Sequence, residues 1–320
     1  MTLLSRRNCL LAGAATAGSF RLSRCLAGAT AATPESADRL PDWPLRYCLN
    51  TSTIRGADLP LDKQVEIAAQ AGYDAVEPWT RDIEAFIQAG GRLRDLKKKI
   101  DDAGLAVKGA IGFARWAVDD DKDRAAGLMQ LKTEMQWLAE LGSPRIAASP
   151  AGIHNVPDVD LDRVAERYAA TLALGRKTGV TPQLEIWGNG QSLATLAEAA
   201  YVVTACDDKD ACLLPDVFHL YKGGSPFAGL GMLHGGIIRQ FHMNDYPANP
   251  PRKEIGDGDR VFPGDGVAPL AAILRTLRAI GFRGVLSLEL FNRDYWKRPP
   301  LEVAREGLAK MRQAVAASMQ

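Results

Sequence analysis

Two hydrophobic rhythms alternate along this chain from about Tyr47 onward. Short apolar runs of strand length are followed by longer stretches in which apolar residues recur every three or four positions. The short runs read as buried strands and the long ones as amphipathic helices. Strands are expected over Arg46–Ile54, Ala75–Trp79, Ala106–Phe113, Arg145–Ser149, Gln183–Trp187, Ala211–Phe218, Ile237–Met243 and Gly284–Leu290. Helices are expected over Leu61–Ala71, Ile83–Ala103, Asp123–Leu141, Leu161–Thr178, Ser192–Cys206, Phe227–His234, Val267–Ile280 and Pro299–Ala317. Glycine follows several of these helices directly, at Gly72, Gly104, Gly142, Gly179 and Gly281, where a helix stop is wanted. Eight strand–helix units in strict alternation predict an α/β fold, a (β/α)8 barrel. A doubly wound sheet is the other arrangement that alternation allows. It lacks its usual signature here, since no Gly-x-Gly-x-x-Gly follows the first strand and no Gly-Lys-Ser/Thr phosphate loop occurs.

Composition narrows this picture. With 320 residues, 47% hydrophobic and 24% charged, the chain suits one large barrel or two smaller domains. Lys+Arg number 39 against 38 Asp+Glu, so no basic surplus points to nucleic acid. Five cysteines lack paired spacing, which argues against a disulfide framework or zinc ribbon. Residues 1–31 read differently from the rest. Arg6-Arg7 precedes a weakly apolar Ala/Gly-rich run to Phe20, with small-residue cleavage sites after it, as in a twin-arginine export signal. The apolar run is too short to span a membrane. The expectation is a periplasmic protein: signal 1–31, linker 32–45 and one barrel domain 46–320.

Candidate chemistry gathers where strands end. Glu185, Asp216, His242 and Glu289 stand near the C-terminal ends of four consecutive expected strands, which is where an α/β barrel builds its site. The first three follow one another at intervals of roughly 30 residues, the length of one strand–helix–strand unit. The step to Glu289 is wider because a Pro/Gly-rich excursion, Tyr246–Gly266, intervenes. Three carboxylates with one imidazole make an oxygen-rich donor set. It favours Mn2+ or Mg2+, with Co2+, Fe2+ or Zn2+ as alternatives. Singly, each residue reads as an ion-pair partner or a helix cap; together, on four strand ends, they read as a metal site.

At these residues the chain resembles the xylose isomerase-like barrels, the sugar phosphate isomerase/epimerase superfamily. The likeness rests on Gly72-Tyr73-Asp74-Ala75-Val76-Glu77, Leu184-Glu185, Asp216-Val217-Phe218-His219, His242-Met243-Asn244-Asp245, Pro263-Gly264-Asp265-Gly266 and Ser287-Leu288-Glu289. It implies a divalent metal held by Glu185, Asp216, His242 and Glu289. Glu185 and Glu289 would double as the proton-transfer pair, and His219 would contact a substrate oxygen. The residue types suit that chemistry: a cation on the carbonyl oxygen stabilises an enediolate, while positioned carboxylates move the proton.

Further substrate contacts are expected from Glu77, Trp79, His154, Trp187 and Arg260. Glu77 ends the second strand, and Trp79 and Trp187, like Phe113 and Trp116, sit where an aromatic face meets either a sugar ring or the core. His154 lies in a loop after the fourth strand, and Arg260 just precedes Phe262-Pro263-Gly264-Asp265-Gly266.

This chain departs from several sugar epimerases, which carry a second His or an Arg soon after the seventh-strand His. It has Met243-Asn244-Asp245-Tyr246-Pro247 there. Glu289-Leu290-Phe291-Asn292 is similar to the ending found in dehydratase members. A metal-dependent isomerase or epimerase of a sugar derivative is therefore the first expectation, and a lyase acting on a keto-polyol or dehydroshikimate-like substrate the alternative. A non-catalytic carbohydrate-binding barrel has no use for two carboxylates on the metal. A trinuclear-zinc nuclease would need more than four histidines. The partner expected is a small carbohydrate, with neither nucleic acid nor membrane. The assembly expected is a homo-oligomer, with the Asn249–Gly266 excursion as either a pocket lid or a subunit contact.

Overall fold

The computed structural model describes residues 43–320. The twin-arginine stretch and most of the segment read as a linker lie outside the described residues. Eight parallel strands alternate with helices, in the order β1 (Arg46–Asn50), α1 (Leu61–Ala71), β2 (Ala75–Glu77), α2 (Thr80–Gln88), α3 (Leu93–Asp102), β3 (Ala106–Val107), α4 (Asp121–Glu140) and β4 (Arg145–Ala148). They continue as α5 (Leu161–Thr178), β5 (Thr181–Glu185), α6 (Leu196–Ala205), β6 (Leu213–Leu214), α7 (Val217–Lys222), β7 (Gln240–Met243), α8 (Leu270–Ala279), β8 (Val285–Leu288) and α9 (Pro300–Ser318).

Strand pairing runs β3-β2-β1-β8-β7 in one sheet and β4-β5-β6 in the other. Two seams join them. Ala147 N–H donates to Ala110 O at 2.8 Å, linking β4 to the segment after β3. Parallel bridges Leu213–Ile238 and Asp216–His242 link β6 to β7. With β8 paired to β1, the circle is closed and no strand edge is left over among the described residues.

Period-two alternation decides which side chains face which layer. Leu49, Val76, Ile146, Leu184, Phe241, Leu286 and Leu288 join the large core shared with the helices. The residues between them point into the barrel. Cys48, Ala75 and Val285 close its floor. Trp79, Ile111, Ala147 and Leu214 pack near its mouth, with Phe113 and Phe291 against them. Between these apolar layers lie buried polar groups, among them Glu77, Gln183, Gln240 and Ser287.

Local signals set the helix ends. Asp160 caps α5 by accepting from the N–H groups of Asp162 and Arg163, and Thr195 with Glu198 forms a reciprocal cap on α6. The helix expected over Ile83–Ala103 is two helices, broken at Gly90-Gly91. The first and third strands are shorter than expected: the chain turns into a 3-10 segment, Thr51–Ala57, after Asn50, and leaves regular pairing after Val107. Trp43, in the stretch read as linker, is buried and donates its indole N–H to Phe282 O at 2.6 Å. Among the described residues no helix is long and apolar enough to cross a membrane.

Candidate active site

Strand direction brings the expected residues to one end of the barrel. Ligand atoms of Asp216, His242 and Glu289 all lie within 4.8 Å of one another, and all three residues are buried. Glu185 is not part of that tight group. It instead lines a cavity of about 240 Å3 together with Trp79, Trp187, His219, Arg260 and Glu289. Ile111, Phe113, Asn189, Asp257 and Phe291 complete the wall. Asp216 also caps α7, since its Oδ1 accepts from His219 N–H at 3.0 Å. One residue thus starts the helix that carries His219 and turns its other oxygen, Oδ2, toward His242.

Glu77 is fully buried and does not reach the cavity. Its Oε2 accepts from Asn50 Nδ2 (2.9 Å) and Ser287 Oγ (2.7 Å) and stands 3.1 Å from His242 Nε2, while Gln240 donates to Oε1. A carboxylate can only accept, so His242 Nε2 carries a proton toward it. The opposite nitrogen, Nδ1, faces Glu289 Oε2 at 3.2 Å and Asp216 Oδ2 at 3.7 Å, without a well-aligned hydrogen bond. Carboxylate, imidazole and two further carboxylates in a line form the arrangement by which a second carboxylate orients a metal-ligating histidine.

Arg260 enters this cluster from the excursion after β7. Its Nη1 is 3.0 Å from both Asp216 Oδ2 and Glu289 Oε2. Its Nη2 meets Asp257 and lies 3.0 Å from His219 Nε2. The guanidinium is fully buried against the rings of Phe218 and Phe291. Its hydrogen bonds go to side chains of the protein, although the residue lines the cavity.

The electrostatics separate the two expected proton-transfer residues. Burial, reinforced by the charge on Glu289, pushes Glu185 up to about 8. Glu289 is also pushed up by burial, but the His242 imidazole and the Arg260 guanidinium outweigh this and hold it below the usual carboxylate range. Burial lowers His219 and Arg260 adds to the effect, so its imidazole stays neutral. Burial alone would lower His242 as well; Glu289 and Glu77 reverse that and hold it well above its ordinary value.

A divalent cation fits this donor set. Among the described residues, the ion pairs that Glu77, Asp216, Asp257 and Glu289 make in this cluster are with Arg260 and His242. Buried charge is tolerated when it is paired, and here acids outnumber bases by two even with His242 protonated. His242 Nδ1 and Glu185 Oε2 are both buried without a hydrogen-bond partner.

The other expected contacts divide. Trp79, Phe113 and Trp187 form a linked aromatic wall, with ring centroids 5.0 Å apart for Trp79–Phe113 and 5.9 Å for Phe113–Trp187. His154 lies off the cavity wall, edge-on to Trp187 at 5.1 Å. Trp116 is core: it packs on Tyr168 and donates to Ser149 O. His219 is held through Nδ1 by Gly188 N–H at 3.2 Å. Glycine is required at 188, where a Cβ would lie 2.1 Å from His219 O.

Asn50 and Asn244 escaped the sequence reading. Asn50 Nδ2 spans Glu77 and Glu289, and Asn244 Nδ2 donates to Asp216 Oδ2 at 2.9 Å. Asn50 ends a strand as the acidic residues do, which is the one signal that marked it.

Comparison with known proteins agrees with this architecture. The chain is 26% identical over 257 residues to inosose isomerase of Bacillus velezensis, covering 79% of this chain and 91% of that one. It is 29% identical over 259 residues to 3-dehydroshikimate dehydratase of Pseudomonas aeruginosa, covering 78% of this chain but only 39% of that protein. Among solved structures, the IOLI protein with a bound zinc atom superposes with a TM-score of 0.78 at 24% identity, over 85% of this chain and 98% of that one. The family model described as xylose isomerase-like TIM barrel matches residues 65–314, and this chain belongs to that family.

Proposed function

We propose that this chain is a metal-dependent isomerase or epimerase of a sugar or sugar derivative. The observation that carries this reading is the pair Glu185 and Glu289. Both line one cavity beside the Asp216–His242–Glu289 cluster, and their environments push them in opposite directions. Two carboxylates kept apart in this way are an acid and a base ready for use near neutral pH. A divalent cation held by Asp216, His242 and Glu289, with Glu185 as a further donor, would stabilise the negative charge that develops when a proton leaves the carbon α to a carbonyl. Glu289 accepts that proton and Glu185 returns one, on the other face or at the neighbouring carbon. Neutral His219, held through Nδ1 by the Gly188 N–H, lines the cavity where the substrate oxygens would lie. The names of relatives, inosose isomerase and fructoselysine 3-epimerase, support this reading. Mn2+ or Mg2+ is the proposed ion, and the zinc atom in the IOLI protein supports the alternative Zn2+.

The likeness to 3-dehydroshikimate dehydratase favours a second reading, in which the Glu185 proton leaves with a β-hydroxyl as water. The twin-arginine motif supports export to the periplasm, and a homo-oligomer is the proposed assembly. Proton NMR in D2O tests the chemistry on metal-loaded protein offered ketoses, cyclic polyol ketones and 3-dehydroshikimate. Isomerisation with deuterium entering α to the carbonyl, stopped by chelator and by Glu289→Gln, is the expected result. Exchange followed by loss of a hydroxyl selects the lyase. Turnover that survives both chelator and Glu289→Gln would refute the reading.

A further inference from the structure

The floor of the barrel, at the end away from the cavity, carries a group of cations that the chemistry above does not use. Alternation along the strands places them. Arg46 stands two residues before Cys48 on β1, and Cys48 closes the floor with Ala75 and Val285. Lys108 stands two past Ala106, the partner of Ala75 in the β2–β3 register. Arg145 opens β4, two before the inward-pointing Ala147. Arg239 directly precedes β7, and its carbonyl accepts from Val285 N–H at 3.3 Å. Strands β1, β3, β4 and β7 thus each bring one cation to this end. Solvent reaches all four: Arg46 and Arg239 are exposed, and Lys108 and Arg145 partly so.

These charges act on one another. Burial lowers Lys108, and the charges of Arg46 and Arg145 lower it further. Burial lowers Arg145 and Arg239 adds to that, while Cys212, Glu77 and Cys48 act the other way. Three carboxylates reach this layer by charge, Asp74, Glu77 and Asp210, and each is committed elsewhere. Asp74 Oδ2 accepts from Tyr47 N–H at 2.8 Å, Asp210 pairs with Arg176 at 3.1 Å, and Glu77 faces His242. Among the described residues, Arg46, Lys108, Arg145 and Arg239 make no ion pair with a carboxylate. Two buried groups beside them also lack partners. One is Arg145 Nε. The other is the Gln183 amide, fully buried with neither its nitrogen nor its oxygen hydrogen-bonded. The β4–β5 register sets Thr181 against Arg145 and Gln183 against Ala147, so Gln183 lies one inward step above Arg145.

Like charges that are partly desolvated repel, and a buried donor without an acceptor is costly. One oxyanion relieves both. Guanidinium forks and an ammonium are the groups that hold phosphate, and a neutral amide N–H adds a further donor. We propose that the floor of the barrel is a binding site for a phosphate group, held by Arg145 and Lys108 with Arg46 and Arg239 around them. The bound group joins Lys108, in the segment after β3, to Arg145 at the head of β4. These are the two sides of the seam bridged by the Ala147–Ala110 hydrogen bond. The site therefore clamps that seam from below, and it stands apart from the reaction proposed at the mouth.

Isothermal titration calorimetry of inorganic phosphate into the Mg2+-loaded full chain tests the site. Chloride at equal ionic strength is the control for simple screening. Wild type should bind phosphate with a Kd below ~1 mM and give no saturable heat with chloride. Arg145→Met and Lys108→Met should each weaken phosphate binding by about tenfold or more, since each removes a charged donor. Asp216→Ala, altered in the metal cluster at the other end, should bind phosphate as wild type does. Hydrogen exchange should show protection gained with phosphate over residues 106–110 and 145–148. No saturable phosphate binding, equal binding of chloride, wild-type affinity in both Met variants, or loss in Asp216→Ala would overturn the proposal. So would protection confined to β6–β8. Should Arg145→Met fail to fold, Lys108→Met decides the matter, because that side chain is partly exposed. Glucose 6-phosphate separates the two sources of the group. Affinity equal to that of phosphate marks a site for a phosphate monoester, weaker binding marks one for the free ion, and either upholds the site.

Discussion

At the scale of single residues, Glu77 shows how a site depends on groups that never touch its contents. Its carboxylate fixes His242 Nε2 as a donor and so commits Nδ1 to the Asp216–Glu289 side. Glu77→Gln keeps the size and removes the charge that holds the ring in this state. Removing such an orienting carboxylate typically costs about 10- to 100-fold in metal affinity. Titration of Mn2+ against a competing chelator should show a loss of that order, with the circular dichroism spectrum unchanged; wild-type affinity would refute the orienting role. The ligand-type residues themselves were legible, because charge at the ends of four strands spaced one unit apart is an unusual pattern. The residues that hold them were not. Asn50 reaches Glu289 across 239 positions, and an uncharged amide on a strand looks the same in sequence whether it meets solvent or a buried carboxylate.

At the scale of elements, the Asn249–Gly266 excursion is a delivery arm for Arg260 and Asp257, whatever else it covers. Lys222, at the end of α7, donates to the carbonyls of Arg252, Lys253 and Ile255 and ties the arm down. Its return is tied by Asp245: Oδ2 accepts from Gly264 and Gly266 N–H, and Oδ1 from Tyr246 and Ala268 N–H. The shared Pro263-Gly264-Asp265-Gly266 motif thus has a structural use, clasping β7 to the arm. An amide at 245 has one acceptor oxygen and must turn N–H groups toward two of those donors. Asp245→Asn should destabilise by roughly 1–3 kcal/mol for each donor left unpaired. Urea denaturation reads that cost, and kcat/KM should fall as Arg260 loses its position. Unchanged values on both would show the clasp to be idle. The barrel was legible because strand and helix periods alternate eight times. The arm was not, since a Pro/Gly-rich stretch without periodicity fixes no path; only its tertiary hydrogen bonds do.

For the whole molecule, the question is how a barrel tolerates so many carboxylates in its mouth. Arg260 supplies part of the answer by bridging Asp216 and Glu289 at 3.0 Å each, and the neutral state favoured for Glu185 supplies another. The imbalance of two charges around the cluster remains, and it is concentrated where β6, β7 and β8 meet. The β6–β7 seam there is made by isolated bridges rather than a continuous ladder, one of them Asp216–His242. A divalent cation bound at this point would neutralise the acids and cross-link one of the two seams of the circle together. Ligands that bind only the folded state stabilise it by about 2.7 kcal/mol at 100 times their Kd. For a domain of this size that corresponds to a rise in Tm of roughly 4–5 °C. Chelator-treated protein should therefore remain folded, because Arg260 already pairs two of the acids, but melt lower by about that amount. Mn2+ should restore the difference in wild type and not in Asp216→Ala. Hydrogen exchange gives the argument its location: protection gained with Mn2+ should concentrate in β6, β7 and the start of α7. A shift in Tm without that pattern would mean that the ion acts elsewhere.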